Sequence, residues 1–141
     1  MREDIRGDSI LWLDEYESTA VHEFLATDIA ALQQAFNAAG YLGLHEFEGQ
    51  FAVYPPGARY ARHLDRFRDH DARVISLVLY LNADWNSADG GELCLYPGAD
   101  TVTVLPATGT LVGFLSAEVP HEVRPARRER FSLSGWFRRR A

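Results

Sequence analysis

Tyr60-Ala61-Arg62-His63-Leu64-Asp65 is the stretch around which the rest of the chain is organised. It places an imidazole, from His63, and a carboxylate, from Asp65, two residues apart and just after a predicted strand. Side chains at positions i and i+2 of an extended chain point to the same face, so both groups can approach one point in space. A further histidine, His121, follows much later in the chain. Together the three side chains predict a metal site.

Two histidines and a carboxylate on one side of a metal form the facial triad of non-heme iron(II) oxygenases, which leaves coordination positions open for substrates. An isolated histidine is more often a hydrogen-bonded structural residue than a ligand, and an HxD pair alone is a weak motif. Here an arginine, Arg130, follows His121 by nine positions. Its guanidinium can hold the far carboxylate of a dicarboxylic acid as a bidentate pair. The order HxD, short strands, histidine, arginine therefore predicts a catalytic site made of His63, Asp65, His121 and Arg130.

The composition fits one folded domain. The chain has 141 residues, of which 47% are hydrophobic and 12% aromatic, enough for a core. No apolar run approaches the roughly 20 residues of a membrane span, and the acidic N-terminus is unlike a signal peptide. We therefore expect no membrane partner and a cytoplasmic location. The single cysteine, Cys94, allows no intrachain disulfide and is predicted to be a packed thiol in a strand.

All 14 basic residues are arginines, and their distribution is uneven. Only two of them precede residue 59, whereas a cluster surrounds the HxD pair: Arg59, Arg62, Arg66, Arg68 and Arg73. This basic rim can steer an anionic co-substrate or an acidic target toward the site. Compositional bias with a solvated surface explains it equally well. The net charge of −6 argues against nucleic acid as the main partner, because affinity for nucleic acid depends on neutralising phosphates.

The pattern of elements predicts a mainly β protein, a double-stranded β-helix (jelly roll) with one or two supporting helices on one side. A first strand is predicted over 9–14, a short helix over 21–25 and a longer helix over 28–39, capped by Asp28 or Thr27. From Tyr41 onward short strands alternate with turns. We place these strands near 42–47, 50–54, 73–82, 91–96, 101–105, 110–115, 119–124 and 130–137. In the last strand Ser132, Ser134 and Trp136 share the face of Arg130.

Six segments carry a family signature: Phe51–Pro55, Tyr60–Asp65, Leu79–Trp85, Gly90–Leu93, Pro120–Val123 and Arg130–Trp136. Together they resemble the prolyl-4-hydroxylase group of 2-oxoglutarate/Fe(II) oxygenases. Within that group they are most similar to the hypoxia-inducible-factor prolyl hydroxylases and their bacterial counterparts. The most specific part is Tyr-Leu-Asn-x-x-Trp followed by Gly-Gly, and it coincides with the metal pattern.

The resemblance implies a cofactor and two co-substrates. Fe(II) is expected on His63, Asp65 and His121, with 2-oxoglutarate and O2 as co-substrates, succinate and CO2 as co-products, and ascorbate as a candidate reductant. Arg130 is expected to pair with the distal carboxylate of 2-oxoglutarate, together with the Tyr80 hydroxyl. The other residues implied for this half of the site are Tyr54, facing the metal and co-substrate, Ser134, where the family often has Thr near that distal carboxylate, and Leu93 in the pocket wall.

The resemblance also implies a target, a proline in a protein or peptide. Tyr60 and Trp136 are expected to border that proline, and Arg73 matches a family position at the mouth of the substrate site. The loop from Tyr54 to His63 is one residue shorter than in the relatives.

We expect residues 1–141 to form a single oxygenase domain that lacks the N-terminal part of the family's catalytic domain, including most of a loop that closes over the substrate. Two alternatives to a prolyl hydroxylase stay open: a non-catalytic metal-binding barrel, and an oxygenase of a free amino acid or another small molecule. No oligomeric state is predicted.

Overall fold

The fold contains two antiparallel sheets, and the cavity described below lies between them. The computed structural model describes residues 9–12, 18–40, 43–64 and 72–140. Within these ranges the larger sheet has the strand order β1-β2-β9-β4-β7 and the smaller sheet the order β3-β8-β5-β6. The strands are β1 (Ser9–Trp12), β2 (Leu44–Tyr54), β3 (Tyr60–His63), β4 (Arg73–Tyr80), β5 (Leu93–Leu95), β6 (Val102–Val104), β7 (Leu111–Leu115), β8 (His121–Val123) and β9 (Arg130–Arg139). This arrangement confirms the predicted jelly roll.

One continuous helical stretch covers the outer face of the larger sheet. It consists of α1 (Thr19–Glu23), a π-helical segment (Phe24–Ile29) and α2 (Ala30–Gly40). The Ser18 hydroxyl caps its start by accepting a hydrogen bond from the Val21 amide. Two helices were predicted, with a cap at Thr27 or Asp28, and that boundary is wrong. The wider turn of the π-helix carries the chain through these residues without a break. No helix in the described ranges has the length and apolar character to cross a membrane.

The helices and the larger sheet enclose an apolar core. Ile29 of the π segment is buried with Leu77 of β4 and Phe137 of β9, and Phe36 packs edge-on against Phe137 with ring centroids 5.8 Å apart. These contacts agree with the predicted apolar face of the helix. Since Phe137 is completely buried, β9 is held from one side by the helices while its other face remains available to the cavity.

Two strand boundaries differ from the prediction. β2 is one strand of 11 residues, where two strands over 42–47 and 50–54 were expected. It pairs with β9 from Leu44↔Arg139 to Tyr54↔Arg130, and this long partner keeps it extended through Gly49. β3 was not predicted as a strand. It forms because Tyr60 and His63 pair with Val123 and His121 of β8.

The register of β2, β9 and β4 determines which side chains face the smaller sheet. Opposed residues of an antiparallel pair lie on the same face, and every second residue returns to it. We call the resulting sets the inner rows. They are Tyr54–Arg130, Ala52–Ser132–Tyr80, Gln50–Ser134–Val78 and Glu48–Trp136–Ser76.

Gly135 allows β2 and β9 to approach closely. A Cβ at this position would lie 2.3 Å from the Glu48 carbonyl oxygen and 2.8 Å from Gly49 Cα. We expect Gly135→Ala to lower the free energy of unfolding by about 1–3 kcal/mol, because the backbone of β2 must move. Urea unfolding measures the change.

Gly98→Ala is the matched control, because a Cβ at Gly98 meets no atom within 4 Å. Equal stability of the two variants would contradict the close approach at Gly135.

Candidate active site

A cavity lies between the inner rows and the smaller sheet. Side chains from seven strands line it: Gln50, Tyr54, Tyr60, His63, Val78, Tyr80, Leu93, Phe114, His121, Val123, Arg130, Ser132, Ser134 and Trp136. Nine of these are predicted site residues. Of the other two predicted site residues, Asp65 lies outside the described part of the chain, and Arg73 lies beside the cavity, against Trp136.

A pair of histidines lies on one wall of the cavity. His63 ends β3 and is directly opposite His121, the first residue of β8. Their ring centroids are 4.3 Å apart. The strand pairing therefore brings together two of the three predicted metal ligands, which are far apart in the sequence.

Both imidazoles are oriented by their own strands. His63 Nδ1 lies 2.7 Å from the Ala61 carbonyl oxygen, and His121 Nδ1 lies 3.2 Å from the Val119 carbonyl oxygen. A carbonyl oxygen only accepts hydrogen bonds, so these contacts favour a proton on Nδ1 and, in the neutral imidazole, a lone pair on Nε2. A neutral imidazole in this form is the usual histidine ligand of a metal, and a backbone carbonyl behind it is the usual second partner.

These two side chains fit a divalent metal, but they do not complete the predicted triad. Among the described residues, no three His, Cys, Asp or Glu side chains form a group that could hold an ion. The predicted carboxylate ligand, Asp65, follows the described end of this segment by one position. Two neutral imidazoles and one carboxylate would suit Fe(II).

The histidine wall is partly shielded from water. His121 is 6% exposed and its ring packs against Phe114, with centroids 4.7 Å apart. Leu93 is buried and lines the same cavity. On the other side the Tyr60 ring lies 4.8 Å from the His63 ring. Apolar neighbours of this kind exclude water from a reactive centre.

Arg130 brings a buried positive charge into the cavity. It is 2% exposed, so it is not one of the solvated arginines of the 124–130 segment. Its Nη1 donates to the Gly91 carbonyl oxygen at 3.1 Å, and its Cζ lies 4.1 Å over the ring of Tyr54. Gly91 has φ +72°, and a Cβ there would lie 3.1 Å from Trp85 and 3.5 Å from Arg130 Cδ. The second glycine of the signature thus supplies both the acceptor and the space for the arginine.

Two other residues of the signature, Asn82 and Trp85, hold the backbone around Arg130 in place. The Asn82 amide donates to the Pro106 and Phe131 carbonyl oxygens at 2.8 and 2.9 Å, and its Oδ1 accepts from the Phe131 amide at 2.7 Å. These bonds hold the start of β9, next to Arg130. The Trp85 indole N–H donates to the Gly90 carbonyl oxygen at 2.9 Å. Asn82 and Trp85 therefore position the site without lining it.

Tyr80 lies one inner row from Arg130, opposite Ser132. It is 4% exposed. Burial raises the pKa of its hydroxyl from 10.0 to about 12, although the positive charge of Arg130 partly opposes the shift. At neutral pH Tyr80 is therefore a protonated hydrogen-bond donor beside a guanidinium, a pair suited to an anion.

The raised pKa of Tyr80 makes stability depend on alkaline pH. In the unfolded chain the hydroxyl ionises near pH 10, whereas in the folded chain it ionises near pH 12. Between these values the folded state keeps a proton that the unfolded state loses, so stability falls as pH rises through this window. We expect wild type to lose on the order of 2–3 kcal/mol more than Tyr80→Phe between pH 10 and pH 12. Urea unfolding of both proteins across this range measures the difference, and parallel curves would contradict the shift.

Trp136, in the inner row farthest from Arg130, is held in place by a contact with Arg73. The Arg73 guanidinium carbon lies 3.9 Å over the Trp136 ring, and Arg73 Nε lies 3.6 Å from Glu48 Oε1. Arg138 Nη1 donates to the same carboxylate oxygen at 3.1 Å. Glu48 is itself directly opposite Trp136 across the β2–β9 pair. Arg73 therefore contacts Trp136 without lining the cavity itself.

The predicted basic rim is only partly described. Arg62 stacks on Tyr96, with Cζ 4.0 Å from the ring centroid, and Tyr96 donates to Glu122. Arg73 is engaged by Glu48, as above. Arg66 and Arg68 lie outside the described ranges.

Four cavity residues were not identified from the sequence: Gln50, Val78, Phe114 and Val123. For Gln50 a signal existed, because it is four residues before Tyr54 and so shares its face of an extended strand. The predicted break in the strand before residue 50 hid the long pairing with β9 that carries this alternation. Val78, Phe114 and Val123 are ordinary strand residues, and only the assembled sheets distinguish them from the core.

Comparison with known proteins agrees with this geometry. Residues 49–138 match the family model described as 2OG-Fe(II) oxygenase superfamily. The chain belongs to this superfamily. Membership implies Fe(II), 2-oxoglutarate and O2.

Several relatives are prolyl hydroxylases. A crystal structure of a Pseudomonas putida prolyl-4-hydroxylase is 54% identical, with a TM-score of 0.93 over 99% of this chain and 76% of that chain. A Trichoplax adhaerens prolyl hydroxylase, solved in complex with a peptide fragment of the hypoxia-inducible factor oxygen degradation domain, is 34% identical, with a TM-score of 0.83 over 95% of this chain and 64% of that chain. These likenesses confirm the resemblance to prolyl hydroxylases and the predicted fold.

Two relatives from animals are longer. The hypoxia-inducible factor prolyl hydroxylase of Caenorhabditis elegans is 35% identical, and Egl nine homolog 1 of Rattus norvegicus is 31% identical. Each match covers 95% of this chain, but only 20% and 42% of the respective relative. The chain therefore spans less than half the length of these two proteins.

Proposed function

We propose that this chain is a 2-oxoglutarate- and Fe(II)-dependent dioxygenase that hydroxylates a prolyl residue in a protein or peptide substrate, with succinate and CO2 as co-products. The observation that carries the proposal is a buried arginine, Arg130, in the same cavity as the His63–His121 pair. A metal site alone has no need of a buried cation, whereas an oxygenase that uses a dicarboxylic acid needs one to pair with the distal carboxylate. The similarity to prolyl hydroxylases supports the choice of target.

In this proposal the smaller sheet holds the metal. His63 and His121 would bind Fe(II) through Nε2, with Asp65 as the carboxylate ligand. When bound, the iron supplies the oxidative chemistry of the family, in which decarboxylation of 2-oxoglutarate is coupled to insertion of one oxygen atom into a C–H bond. The carbonyls of Ala61 and Val119 keep both rings in the metal-binding tautomer.

The larger sheet holds the diacid. Arg130 would pair with its distal carboxylate in a region of low dielectric, where a charge-assisted pair is strong. Tyr80 would donate its hydroxyl proton to the same carboxylate, since its pKa of about 12 keeps it protonated. Tyr54 stacks under the guanidinium and limits its movement.

Two serines would contact the diacid in the middle of the cavity. Ser132 is one inner row from Arg130, and Ser134 is two rows from it. The resemblance implies Ser134 near the distal carboxylate, but Ser132 is one row nearer to Arg130. We therefore propose that Ser132 contacts the distal carboxylate and that the Ser134 hydroxyl contacts the keto-acid end of the diacid. Leu93 completes the apolar wall.

The target proline would lie between Tyr60 and Trp136. Both are aromatic cavity residues, and flat apolar faces suit a proline ring. We propose that Arg73 acts on the substrate through Trp136, because its guanidinium stacks on that ring and is paired with Glu48.

Three further features belong to the proposal. The buried free thiol of Cys94 supports a reducing compartment such as the cytoplasm. The prolyl-4-hydroxylase resemblance supports ascorbate as a reductant. We also propose that residues 1–141 act as one oxygenase domain.

Succinate formation tests the function and its alternatives. Wild type, supplied with Fe(II), 2-oxoglutarate and O2, is expected to form succinate faster when a proline-containing peptide is present. His63→Ala, Asp65→Ala and His121→Ala should show no turnover and should bind Mn(II) weakly in anaerobic titration calorimetry, since each loses a ligand. No turnover by wild type with any peptide would favour a metal-binding barrel, and stimulation by free proline alone would favour a small-molecule oxygenase.

Arg130 provides a test of the co-substrate. We expect Arg130→Ala to weaken 2-oxoglutarate binding, measured by calorimetry with Mn(II) present, by about 2–5 kcal/mol, because a desolvated carboxylate loses its charged partner. Arg130→Lys should recover little, since an ammonium cannot form the bidentate fork.

Arg127→Ala is the matched control, because Arg127 is exposed. Arg128 is less suitable, because it stacks on Trp85, with Cζ 4.4 Å from the ring centroid, and donates to the Ala83 carbonyl oxygen. Equal co-substrate affinity of Arg130→Ala and Arg127→Ala would remove the main support for a 2-oxoglutarate oxygenase.

A further inference from the structure

Gln50 is a buried polar residue of the cavity with an unsatisfied atom. Its side chain is 2% exposed and lines the cavity between the two sheets. Its Oε1 is buried and has no hydrogen-bond partner among the described residues. Burying an amide oxygen in this way is unfavourable unless a ligand or a water donates to it. An apolar side chain of the same size would fill the position without that penalty.

The register places Gln50 at the border between the two proposed ligands. It is opposite Ser134, one inner row from Trp136 and two rows from Arg130. At about 3.3 Å per residue, Gln50 is displaced along the strand by about 7 Å from the first of these rows and by about 13 Å from the second. The carbon chain of 2-oxoglutarate spans about 5 Å between its end carbons. Gln50 therefore belongs to the part of the cavity nearer Trp136.

The chemistry of the two ligands distinguishes them. Ionised 2-oxoglutarate has carboxylate and keto oxygens, all of which accept hydrogen bonds, so it offers Oε1 no donor. A peptide always carries backbone N–H donors on its residues other than proline. A side-chain amide beside a bound peptide is thus matched to an N–H of that peptide.

We propose that Gln50 is a specificity-determining residue that accepts a hydrogen bond from a backbone N–H of the peptide substrate next to the target proline. This inference rests on the proposed function and names a contact that a peptide can make and the diacid cannot. The Oε1 atom is the acceptor, and Ser134 and Trp136 fix the side on which the peptide approaches.

The competing explanation is a structural water that satisfies Oε1 permanently. The two explanations differ in the unliganded protein. If a water is part of the fold, replacing Gln50 by an apolar residue removes a native hydrogen bond and lowers stability. If Oε1 is unsatisfied until the peptide binds, the same replacement removes a penalty and leaves the melting temperature equal or higher.

Gln50→Met keeps the length of the side chain and removes its polar atoms. With Gln34→Met as the control on the exposed face of α2, three quantities are compared with wild type. We expect an unliganded melting temperature that is not lowered, an unchanged affinity for 2-oxoglutarate with Mn(II) present, and a KM for a proline-containing peptide raised about tenfold, the equivalent of one neutral hydrogen bond. A lowered melting temperature, a weakened 2-oxoglutarate affinity or an unchanged KM would each overturn the proposal.

A peptide series identifies the hydrogen bond itself. The backbone N–H groups of the same peptide are methylated one at a time, and KM is measured for wild type and for Gln50→Met. One methylated position is expected to raise the KM of wild type about tenfold while leaving Gln50→Met unchanged, because the variant has already lost that bond. If Gln50→Met raises KM, but every N-methylation that raises the KM of wild type raises the KM of the variant as well, Gln50 only shapes the cavity and the proposal fails. Absence of peptide-dependent turnover in wild type would instead reject the proposed function, on which this inference depends.

Discussion

The burial of one guanidinium is the constraint on which the rest of this structure depends. Arg130 is 2% exposed, and a charge removed from water is tolerated only where hydrogen bonds and an opposite charge are arranged around it. Gly91 supplies a carbonyl acceptor through a backbone conformation that favours glycine, and Tyr54 supplies an aromatic face. Asn82 then fixes the start of β9, so that the arginine enters the cavity in one direction. Residues that look like a family signature in the sequence are here the supports of a single side chain.

Much of the candidate site could be predicted because strand alternation is a local property. Arg130, Ser132, Ser134 and Trp136 line one cavity in the order that a period of two requires, and the jelly roll follows from many short strands after a helical region. The pairing of His63 with His121 could not be derived in the same way. It depends on β3, a short strand that exists only because β8 lies beside it. The carboxylate ligand, Asp65, stays a prediction.

The errors have a common physical origin in long-range pairing. β2 was predicted as two strands, with a break over residues 48–49, yet Gly135 faces Gly49 and the two backbones pack closely. The helix was divided at Asp28 because Thr and Asp favour a cap, yet Ile29 is buried against the sheet and keeps the helix continuous. Gln50 was missed for the same reason as β2, since its position on the inner face is set by β9. In each case pairing or packing with residues distant in the sequence outweighed the local propensity.

The position of β9 in the larger sheet has a consequence for how the protein is made. β9 lies between β2 and β4, although it follows both in the chain and is the last of the described strands. During synthesis β2 and β4 emerge first, and each lacks its central neighbour until residues 130–139 have left the ribosome. The larger sheet therefore closes by insertion of a late strand into a gap, a step dominated by contacts between distant residues and expected to be slow. Until it occurs, the nascent chain has two unpaired strand edges, a feature that favours aggregation.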